Sequence, residues 1–220
     1  MKKQLKKTKD GSHTFYVPNL NEHYHSTNGA ITESKHIFIE AGLNVTTKNS
    51  PSVFELGFGT GLNAYLTLLE SYRFETIYYE TVEPFPFELS EIAEINYPDL
   101  LHVNEKNRKL FDQLHSAPWN NPIRLTEQFV IHKIPKDIQN YSSEKKFDLI
   151  YFDAFGPDKQ PDLWTQEIFD KMYAILLPQG ILTTYSAKGT VKRMLLRAGF
   201  SIEGLPGPPG KREITRAIKP

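Results

Sequence analysis

Three glycines occupy every second position of the stretch VFELGFGTGLN, at Gly57, Gly59 and Gly61. In an open α/β sheet, a glycine-rich turn after the first strand lets the backbone approach a ligand at the carboxyl ends of the strands. A P-loop is excluded because no G-K-[ST] follows. A dinucleotide loop stays open, since GTGLNA satisfies G-x-G-x-x-A and an acid, Glu83, lies about 20 residues further on. The alternative without a ligand is a tight turn that requires positive φ angles.

Glu55, two residues before the first glycine, favours a different ligand. A carboxylate at this position would face a pyrophosphate unfavourably, by about 4 kcal/mol for two charges 4 Å apart at intermediate dielectric. It could instead accept from, or pair with, a cationic ligand. S-adenosylmethionine fits this description, since it carries a sulfonium and an ammonium group and no phosphate. We therefore predict that Glu55 and the three glycines bind S-adenosylmethionine.

Acidic residues also follow the next three predicted strands. Glu83 ends the second strand, where a carboxylate can accept hydrogen bonds from both ribose hydroxyls. Asp137 follows the third strand, where it can accept from the adenine amino group, although an aspartate in PKDIQN also suits a helix start. Asp153 ends the fourth strand in YFDAFGPDKQPDLW, at the rim where the methyl group would be presented. We predict that Asp153 is catalytic and touches the cofactor; the alternative is a helix N-cap or a turn, roles that Asp158 or Asp162 also suit.

The order of predicted elements positions these residues. Strands separated by helices of roughly 10–15 residues indicate a doubly wound α/β sheet, a Rossmann-like fold that is mostly parallel. The last two strands, SIEGL and REITRAI, are joined by a Pro/Gly-rich loop, so we expect an antiparallel C-terminal edge. RLTEQFVIHKI is predicted as one strand. Residues 96–124 are long for a connection and should form an insertion with its own helix near the site.

The chain before residue 51 is predicted in two parts. Residues 1–12 are rich in lysine and contain no aromatic residue, so we expect them to be disordered. Residues 13–50 are expected to form an N-terminal extension on the substrate side. In it, residues 13–28 form a strand or hairpin, and a helix follows in GAITESKHIFIEAGL, where apolar residues recur at helical spacing.

Composition limits the class of protein. The 220 residues are 39% hydrophobic, which suits one domain with one core. No cysteine is present and the seven histidines show no ligand spacing, so we expect no metal. No apolar run approaches the ~20 residues that a membrane helix needs. We therefore expect no membrane partner and a cytoplasmic location.

Charge is distributed unevenly although the formal net charge is zero. Residues 188–220 contain eight basic and two acidic residues, a balance of +6, and the first ten residues contain five lysines and one aspartate, a balance of +4. Residues 11–187 must therefore carry −10. If the two ends meet on one face, they form a basic patch that attracts phosphates. The alternative is a flexible tail and a solvated helix face.

These motifs resemble the methyltransferase domain of MnmC-type tRNA 5-methylaminomethyl-2-thiouridine-forming enzymes. ELGFGTGLN is similar to the family's E-x-G-F-G-T-G-x-N, which adds Asn63 to the cofactor residues. YFDAFGPDKQPDLWTQEIFDKM is similar to its D-A-F-x-P-x-K-x-P-x-x-W stretch, the more specific of the two motifs. GTVKRMLLRAGF, GKRE and NGAITESKHIFIEAGL also resemble family segments, so the resemblance covers nearly the whole chain.

The resemblance implies that residues 51–220 form an S-adenosylmethionine-dependent methyltransferase domain. The implied reaction is methylation of the primary amine of a 5-aminomethyl uridine at the wobble position of tRNA. Family members are often fused to an FAD-dependent oxidase, for which these 220 residues leave no room, so the aminomethyl substrate would arise another way. Phe155 and Trp164 are candidates to line the transfer pocket or to stack on a flipped uracil. The candidates to contact RNA phosphates are Lys188, Lys211 and Arg212.

Three other interpretations stay open at this point. The first is an S-adenosylmethionine-dependent enzyme that acts on a small amine or on another RNA base. The second is a nucleotide-dependent oxidoreductase. The third is a non-catalytic RNA-binding module, against which the intact set Glu55, Glu83 and Asp153 argues, since a protein released from chemistry has no need of it.

Overall fold

A small antiparallel sheet forms the N-terminus of the computed structural model, which describes residues 2–220. Its strands are β1 (Gln4–Lys7), β2 (His13–Val17) and β3 (Glu22–His23). The prediction of disorder over residues 1–12 is therefore wrong for the described part of that segment. Leu5 pairs with Phe15 in the ladder and packs against the main core, so one apolar residue among lysines anchors the strand.

An eight-stranded sheet forms the centre of the molecule. Its strands are β4 (Ser52–Leu56), β5 (Ile77–Val82), β6 (Pro122–Thr126), β7 (Phe129–Ile134), β8 (Phe147–Phe152), β9 (Leu176–Thr184), β10 (Ser201–Pro206) and β11 (Glu213–Ile218). The order is β10-β11-β9-β8-β4-β5-β7-β6, with β4, β5, β7, β8 and β9 parallel to one another. At one edge β10 and β11 are antiparallel, which confirms the predicted C-terminal edge of a mostly parallel doubly wound sheet.

One predicted strand is wrong in detail. Residues 124–134 do not form a single strand, because β6 and β7 make an antiparallel hairpin that turns at Glu127 and Gln128. The turn contains neither glycine nor proline, which are the residues that usually reveal a turn in a sequence.

Helices cover both faces of the sheet. They are α1 (Ala30–Ser34), which continues as a π-helical segment (Lys35–Glu40), α2 (Leu62–Glu70), α3 (Leu89–Ile92), α4 (Tyr97–Leu100), α5 (Glu105–Ser116), α6 (Gln166–Ile175) and α7 (Gly189–Ala198). The buried faces of α1, α2 and α5 share one apolar cluster, and those of α6 and α7 share the other. Helix α5 is the helix expected within residues 96–124.

A buried lysine fixes that insertion to the sheet. Lys133 on β7 donates from Nζ to the carbonyl oxygens of Leu114 and His115, at 2.9 and 2.7 Å, at the end of α5. A cation is favourable there because the last carbonyls of a helix lack partners and carry partial negative charge. Burial lowers the pKa of Lys133 to about 8. The contact holds His115 of α5 close to the glycine turn described below.

The position of β4 defines where a ligand can bind. The chain runs from β4 to β5 on one side and later returns to β8 on the other side of β4. In a doubly wound sheet, ligands bind outside the carboxyl ends of the strands at such a switch point. The candidate residues should therefore converge beyond the ends of β4, β5 and β8.

Candidate functional site

A cavity of about 300 Å³ opens at this switch point. The predicted site residues that line it are Gly57, Gly59, Asn63, Glu83, Asp137, Asp153 and Phe155. Glu55, Gly61 and Trp164 do not line it. A second, more open groove lies on the other side of the loop that follows β8, and it contains Lys188, Lys211 and Arg212.

The glycine turn forms the floor of the cavity. Gly57 (φ +92°) donates its backbone N–H to the carbonyl oxygen of Val82 at 3.0 Å, and a Cβ on it would lie 3.1 Å from the carbonyl oxygen of Asp153. Gly59 (φ +50°) adopts the left-handed region as well. These conformations and the close approach both favour glycine.

Gly61 has a different task from the one predicted. It begins α2 with φ +70°, and a Cβ on it would lie 2.6 Å from Nε2 of His115. The residue lets the insertion helix α5 pack closely against the turn. The requirement for glycine at this position therefore comes from packing. This placement gives no support to the predicted direct contact between Gly61 and the cofactor.

Glu83 lies at the end of β5 with its carboxylate at the cavity. Its Oε2 accepts the N–H of Gly59 at 3.0 Å, and its Oε1 accepts the N–H of Phe85 at 2.9 Å. Burial raises the pKa of Glu83, and these two backbone hydrogen bonds oppose the rise. Each carboxylate oxygen keeps a free lone pair, so the group is able to accept from a pair of ribose hydroxyls.

Asp137 lies on the opposite side of the cavity floor, beyond β7. It is exposed and precedes a short 3₁₀ turn (Ile138–Asn140), but its side chain does not cap that turn. Ile138 next to it is buried and also lines the cavity. A free carboxylate beside an apolar surface suits the amino edge and the ring of adenine.

Asp153 follows β8 and faces both the glycine turn and α2. Asn63 donates from Nδ2 to its Oδ2 at 2.8 Å. Burial raises the pKa of Asp153 to about 7; the hydrogen bond from Asn63 opposes the rise, Glu33 adds to it and Lys211 opposes it. Near neutral pH the side chain is therefore populated in both forms, and its carboxylate form can accept a hydrogen bond from an amine.

Glu55 lies beneath the cavity instead of in its lining. Side chains alternate along β4, and Glu55 points to the face covered by α2, between its ladder partners Thr81 and Tyr151. It is fully buried, and burial raises its pKa well above the ordinary value of 4.5. Because Glu55 does not line the cavity, this placement gives no support to the expected direct pairing of Glu55 with a cationic ligand, which stays a prediction.

Trp164 is also one layer away from the cavity. Its ring is buried against Phe152 and Phe169, and its Nε1 donates to the carbonyl oxygen of Phe155 at 2.7 Å. Phe155 itself does line the cavity. Trp164 therefore fixes the loop that carries Phe155 and does not offer its own ring for stacking.

The N-terminal extension supplies residues that sequence reasoning missed. Tyr24 lines the cavity and contacts the rings of Phe87 and Phe155 edge-on, with centroids 4.9 and 4.8 Å away, so it joins the extension to the loop that carries Phe155. His25 lines the same cavity, and its Nε2 lies 2.8 Å from Oγ1 of Thr60. The His25 ring is neutral because burial lowers its pKa to about 4. The signal in the sequence is the aromatic, polar run HTFYVPNLNEHYH, whose spacing matches no known motif.

The second groove brings the predicted RNA-contacting residues together. Lys188 pairs with Asp158 on the loop after β8, Lys211 pairs with Glu33, and Arg212 is exposed. The two basic ends of the chain also meet nearby, since Lys9 donates to the side chain of Asn28, against which Gly210 packs closely. The groove and this contact form one surface beside the cavity.

The charges of the cavity select between ligands. Three acids, Glu83, Asp137 and Asp153, line it together with two lysines, of which Lys3 is paired with Glu91 outside the lining. The excess of acids over lysines favours a ligand with a sulfonium and an ammonium group over a pyrophosphate. Residues 2–220 contain no cluster of three or more His, Cys, Asp or Glu side chains that could hold a metal ion. Within the same residues, no helix has the length and apolar character needed to cross a membrane. The donor set therefore fits S-adenosylmethionine.

Comparison with known proteins defines the class. The family described as S-adenosyl-L-methionine-dependent methyltransferase matches residues 105–220, more than half of the chain. The chain belongs to this family, and its methyl donor is S-adenosylmethionine. The predictions of the cofactor and of a methyltransferase are confirmed.

Particular relatives narrow the comparison further. The chain is 31% identical over 208 residues to the tRNA 5-methylaminomethyl-2-thiouridine biosynthesis bifunctional protein MnmC of Campylobacter fetus, which covers 92% of this chain and 34% of that protein. The Pseudomonas putida GB-1 protein of the same name is 26% identical over 206 residues, with 87% and 31% covered. The chain thus spans about a third of the length of these curated relatives.

A solved structure supports the fold. MnmC2 from Aquifex aeolicus superimposes with a TM-score of 0.79 at 22% identity, over 98% of this chain and 69% of that one. The Rossmann-like methyltransferase fold predicted from the sequence is confirmed.

The placement of Glu55 predicts how its replacement changes stability. The folded state keeps a proton that the unfolded chain releases above pH 4.5, so stability falls by about 1.4 kcal/mol per pH unit until the folded pKa is reached. Glu55→Gln removes this penalty, and three unpartnered acceptors, Tyr79 Oη, Thr81 Oγ1 and Asn63 Oδ1, are available to its amide. We expect a gain in Tm over wild type that is small at pH 4.5 and grows toward pH 7.5. Calorimetry distinguishes the two roles of Glu55. Unchanged S-adenosylmethionine binding in Glu55→Gln supports the buried role, and weaker binding supports direct contact with the cofactor.

The glycine turn gives a second prediction. Gly59→Val forces a β-branched residue into positive φ, and its Cβ would lie 3.1 Å from the Tyr24 ring. We expect loss of S-adenosylmethionine binding by at least about 100-fold, because the turn and the Gly59 contact to Glu83 both move. Gly156→Ala is the matched control, since its Cβ has 3.6 Å to the nearest atom and no unusual φ. Equal affinity in Gly59→Val and wild type would show that the turn does not contact the cofactor.

Proposed function

We propose that the protein transfers a methyl group from S-adenosylmethionine to the primary amine of a 5-aminomethyl uridine, with or without 2-thiolation, at the wobble position of tRNA. The observation that carries the proposal is Asp153, a carboxyl group with a pKa of about 7, on the loop that separates the cofactor cavity from the basic groove. The relatives named for 5-methylaminomethyl-2-thiouridine biosynthesis support the choice of substrate. The whole activity of those longer proteins is not assigned to this chain.

Each cavity residue has a part in holding the cofactor under this proposal. Glu83 accepts from the ribose hydroxyls and Asp137 from the adenine amino group. Gly57 and Gly59 allow the backbone to approach, while Asn63 and Asp153 lie at the end of the cavity where the methyl group is presented. When bound, S-adenosylmethionine supplies a methyl group on a sulfonium, a strong leaving group, so that no covalent intermediate with the protein is required.

Asp153 acts on the amine of the substrate. A primary ammonium is not a nucleophile, so it must first lose a proton, directly to the Asp153 carboxylate or through water to the solvent, and then direct its lone pair at the methyl carbon. In its carboxylate form Asp153 accepts a hydrogen bond from the amine, which holds it in place and stabilises the positive charge that develops on the nitrogen. Phe155, fixed by Trp164, offers its ring to the flipped uracil. Alignment is the larger contribution, because orientation of two reactants can supply about 7–11 kcal/mol, whereas general acid–base catalysis typically supplies about 10²–10⁴-fold.

The groove is the proposed contact for the RNA backbone. Lys188 and Arg212 lie in it beside Lys211, which is paired with Glu33, and Lys9 from the other end of the chain lies beside the Gly210 turn. Basic side chains on one surface attract phosphates irrespective of sequence. A tRNA substrate also implies that the reaction takes place in the cytoplasm.

The direct test is a methylation assay. Purified protein is incubated with S-adenosylmethionine and bulk tRNA from a strain that accumulates 5-aminomethyl uridines, and the digested RNA is examined by mass spectrometry. We expect a gain of one methyl group on that nucleoside. Absence of the gain, with cofactor binding confirmed by calorimetry, overturns the proposal and favours a small amine or another RNA base, which are tested as substrates in the same assay.

Asp153→Asn tests the catalytic role. The amide keeps the size of the side chain and can still accept from Asn63, so we expect cofactor affinity to change by less than about 3-fold while turnover falls by at least about 100-fold. In wild type, kcat/KM should rise with pH through about 7, because the carboxylate is the active form. Asp137→Asn serves as the comparison and should raise the cofactor Kd. An equal loss of cofactor affinity in Asp153→Asn would move this residue to the cofactor group.

Arg212 tests the groove. Charge reversal by Arg212→Glu should weaken tRNA binding by about 10-fold near physiological salt and flatten the dependence of log Kd on log salt. Lys106→Glu, at an exposed position of α5, is the control because it changes the net charge by the same amount away from the groove. Filter binding at several salt concentrations measures both quantities. An unchanged slope in Arg212→Glu would exclude this groove as the phosphate contact.

A further inference from the structure

We propose that Lys211 and Glu33 form a positioning pair for Asp153, so that Lys211 serves the methyl-transfer step and leaves contact with the RNA backbone to its neighbour Arg212. The effect of the pair on methyl transfer rests on the proposed function. The effect of the pair on Asp153 can be tested without substrate. It joins the N-terminal extension, through Glu33 on α1, to the loop between β10 and β11.

The contacts of Lys211 are directed inward. Its Nζ lies 2.7 Å from Oε2 of Glu33, and the two side chains are only 28% and 13% exposed. The same ammonium group lies 4.8 Å from the centre of the Tyr185 ring. A lysine that binds phosphate as a flexible point charge needs its ammonium group in solvent, whereas this one is held by a carboxylate and an aromatic face.

Tyr185 connects Lys211 to the catalytic loop. Its hydroxyl donates to the carbonyl oxygen of Ala154 at 2.8 Å, and its ring contacts Trp164, whose Nε1 donates to the carbonyl oxygen of Phe155. The two residues that follow Asp153 are therefore both held through their backbone. The cation sits on the ring that provides one of these two contacts, so it is placed against the loop and not at the open side of the groove.

The charges that face Asp153 come from several elements. Asn63 on α2 donates to it, Glu33 on α1 raises its pKa and Lys211 lowers it. Glu55 on β4 is close but neutral, since burial raises its pKa well above the ordinary range. The remaining titratable neighbours are the hydroxyls of Tyr79, Tyr97 and Tyr185, whose pKa values are all raised and which stay neutral.

A physical role for the pair follows from these charges. Burial alone disfavours the carboxylate form of Asp153, which is the form that can hold the amine. The positive charge of Lys211 opposes the rise that burial causes in the pKa of Asp153. Glu33 keeps Lys211 in place, but its own negative charge cancels part of this effect. The pair therefore tunes the fraction of Asp153 that is ionised near neutral pH.

The experiment measures the ionisation of Asp153 directly. Protein labelled with ¹³C at aspartate carboxyl groups is titrated by NMR, and Asp153→Asn identifies the signal. We expect Lys211→Met to move the Asp153 midpoint to higher pH by about half a pH unit or more. The acid limb of kcat/KM should move in the same direction, while Lys211→Arg retains the wild-type values. Arg212→Gln, which removes the same charge from the adjacent residue, should leave the midpoint unchanged.

Two further measurements separate the outcomes. Lys211→Met leaves Glu33 without its partner and could unfold locally, so the double variant Glu33→Gln/Lys211→Met, which buries no unpaired charge, is measured as well. In the Glu33→Gln background, Lys211→Met should move the midpoint less than it does in wild type, because the lysine is no longer held. Equal effects in both backgrounds would remove Glu33 from the proposal.

The result that overturns the inference is equally specific. If Lys211→Met leaves the Asp153 midpoint unchanged but lowers tRNA affinity and its salt slope as Arg212→Gln does, Lys211 is a phosphate contact. Failure of the wild-type protein to methylate tRNA overturns the proposed function instead. The NMR titration still decides the positioning pair in that case, because it requires no substrate.

Discussion

Three carboxylates gathered at the carboxyl ends of parallel strands are the constraint on which the rest of this structure depends. Burial costs a carboxylate its hydration, so Glu83 and Asp153 need hydrogen-bond donors beside them. Glu83 receives two backbone N–H groups, and Asp153 receives the amide of Asn63. Asp137 remains exposed. The glycine turn provides the first of these arrangements, since Gly59 donates its N–H to Glu83 from a left-handed backbone.

The site is completed by segments from opposite ends of the chain. The parallel sheet supplies the acids and the turn, but one wall of the cavity comes from Tyr24 and His25 in the N-terminal extension. The loop between β10 and β11 brings Lys211 to the other side of Asp153 and meets α1 at Glu33. The basic ends that balance a negative body in the sequence are therefore neighbours in the fold. Part of that charge is already used within the protein, at Asp158 and Glu33.

The sequence predicts the sheet and the acids at its strand ends well, because both depend on local pattern. Strand-helix alternation indicates the fold, and an acid directly after a buried strand must lie at the ligand edge, as Glu83 and Asp153 do. The predictions that the structure does not support depend on the face of the sheet to which a side chain points, or on contacts between residues that are distant in the sequence. Glu55 points beneath the cavity because strand residues alternate, and the preceding chain gives no sign of which face is which. Trp164 is one layer too deep, and β1 is ordered only because Leu5 finds a partner in Phe15.

Two adjacent basic residues also show that the sequence does not reveal where a side chain points, and that this direction changes the chemistry of the site. Lys211 and Arg212 are equivalent in a sequence-based count of positive charge, yet one turns inward to a carboxylate and the other faces solvent. An inward cation beside a buried acid changes the protonation of that acid, whereas an exposed cation acts mainly on partners in solution, where salt screens it. The proposed reaction uses both effects: an inward cation that keeps a buried acid ionised, and an exposed cation that attracts the RNA backbone. The loop between β10 and β11 provides both cations from consecutive residues: Lys211 is held by Glu33, and Arg212, at a bend of the loop, is exposed.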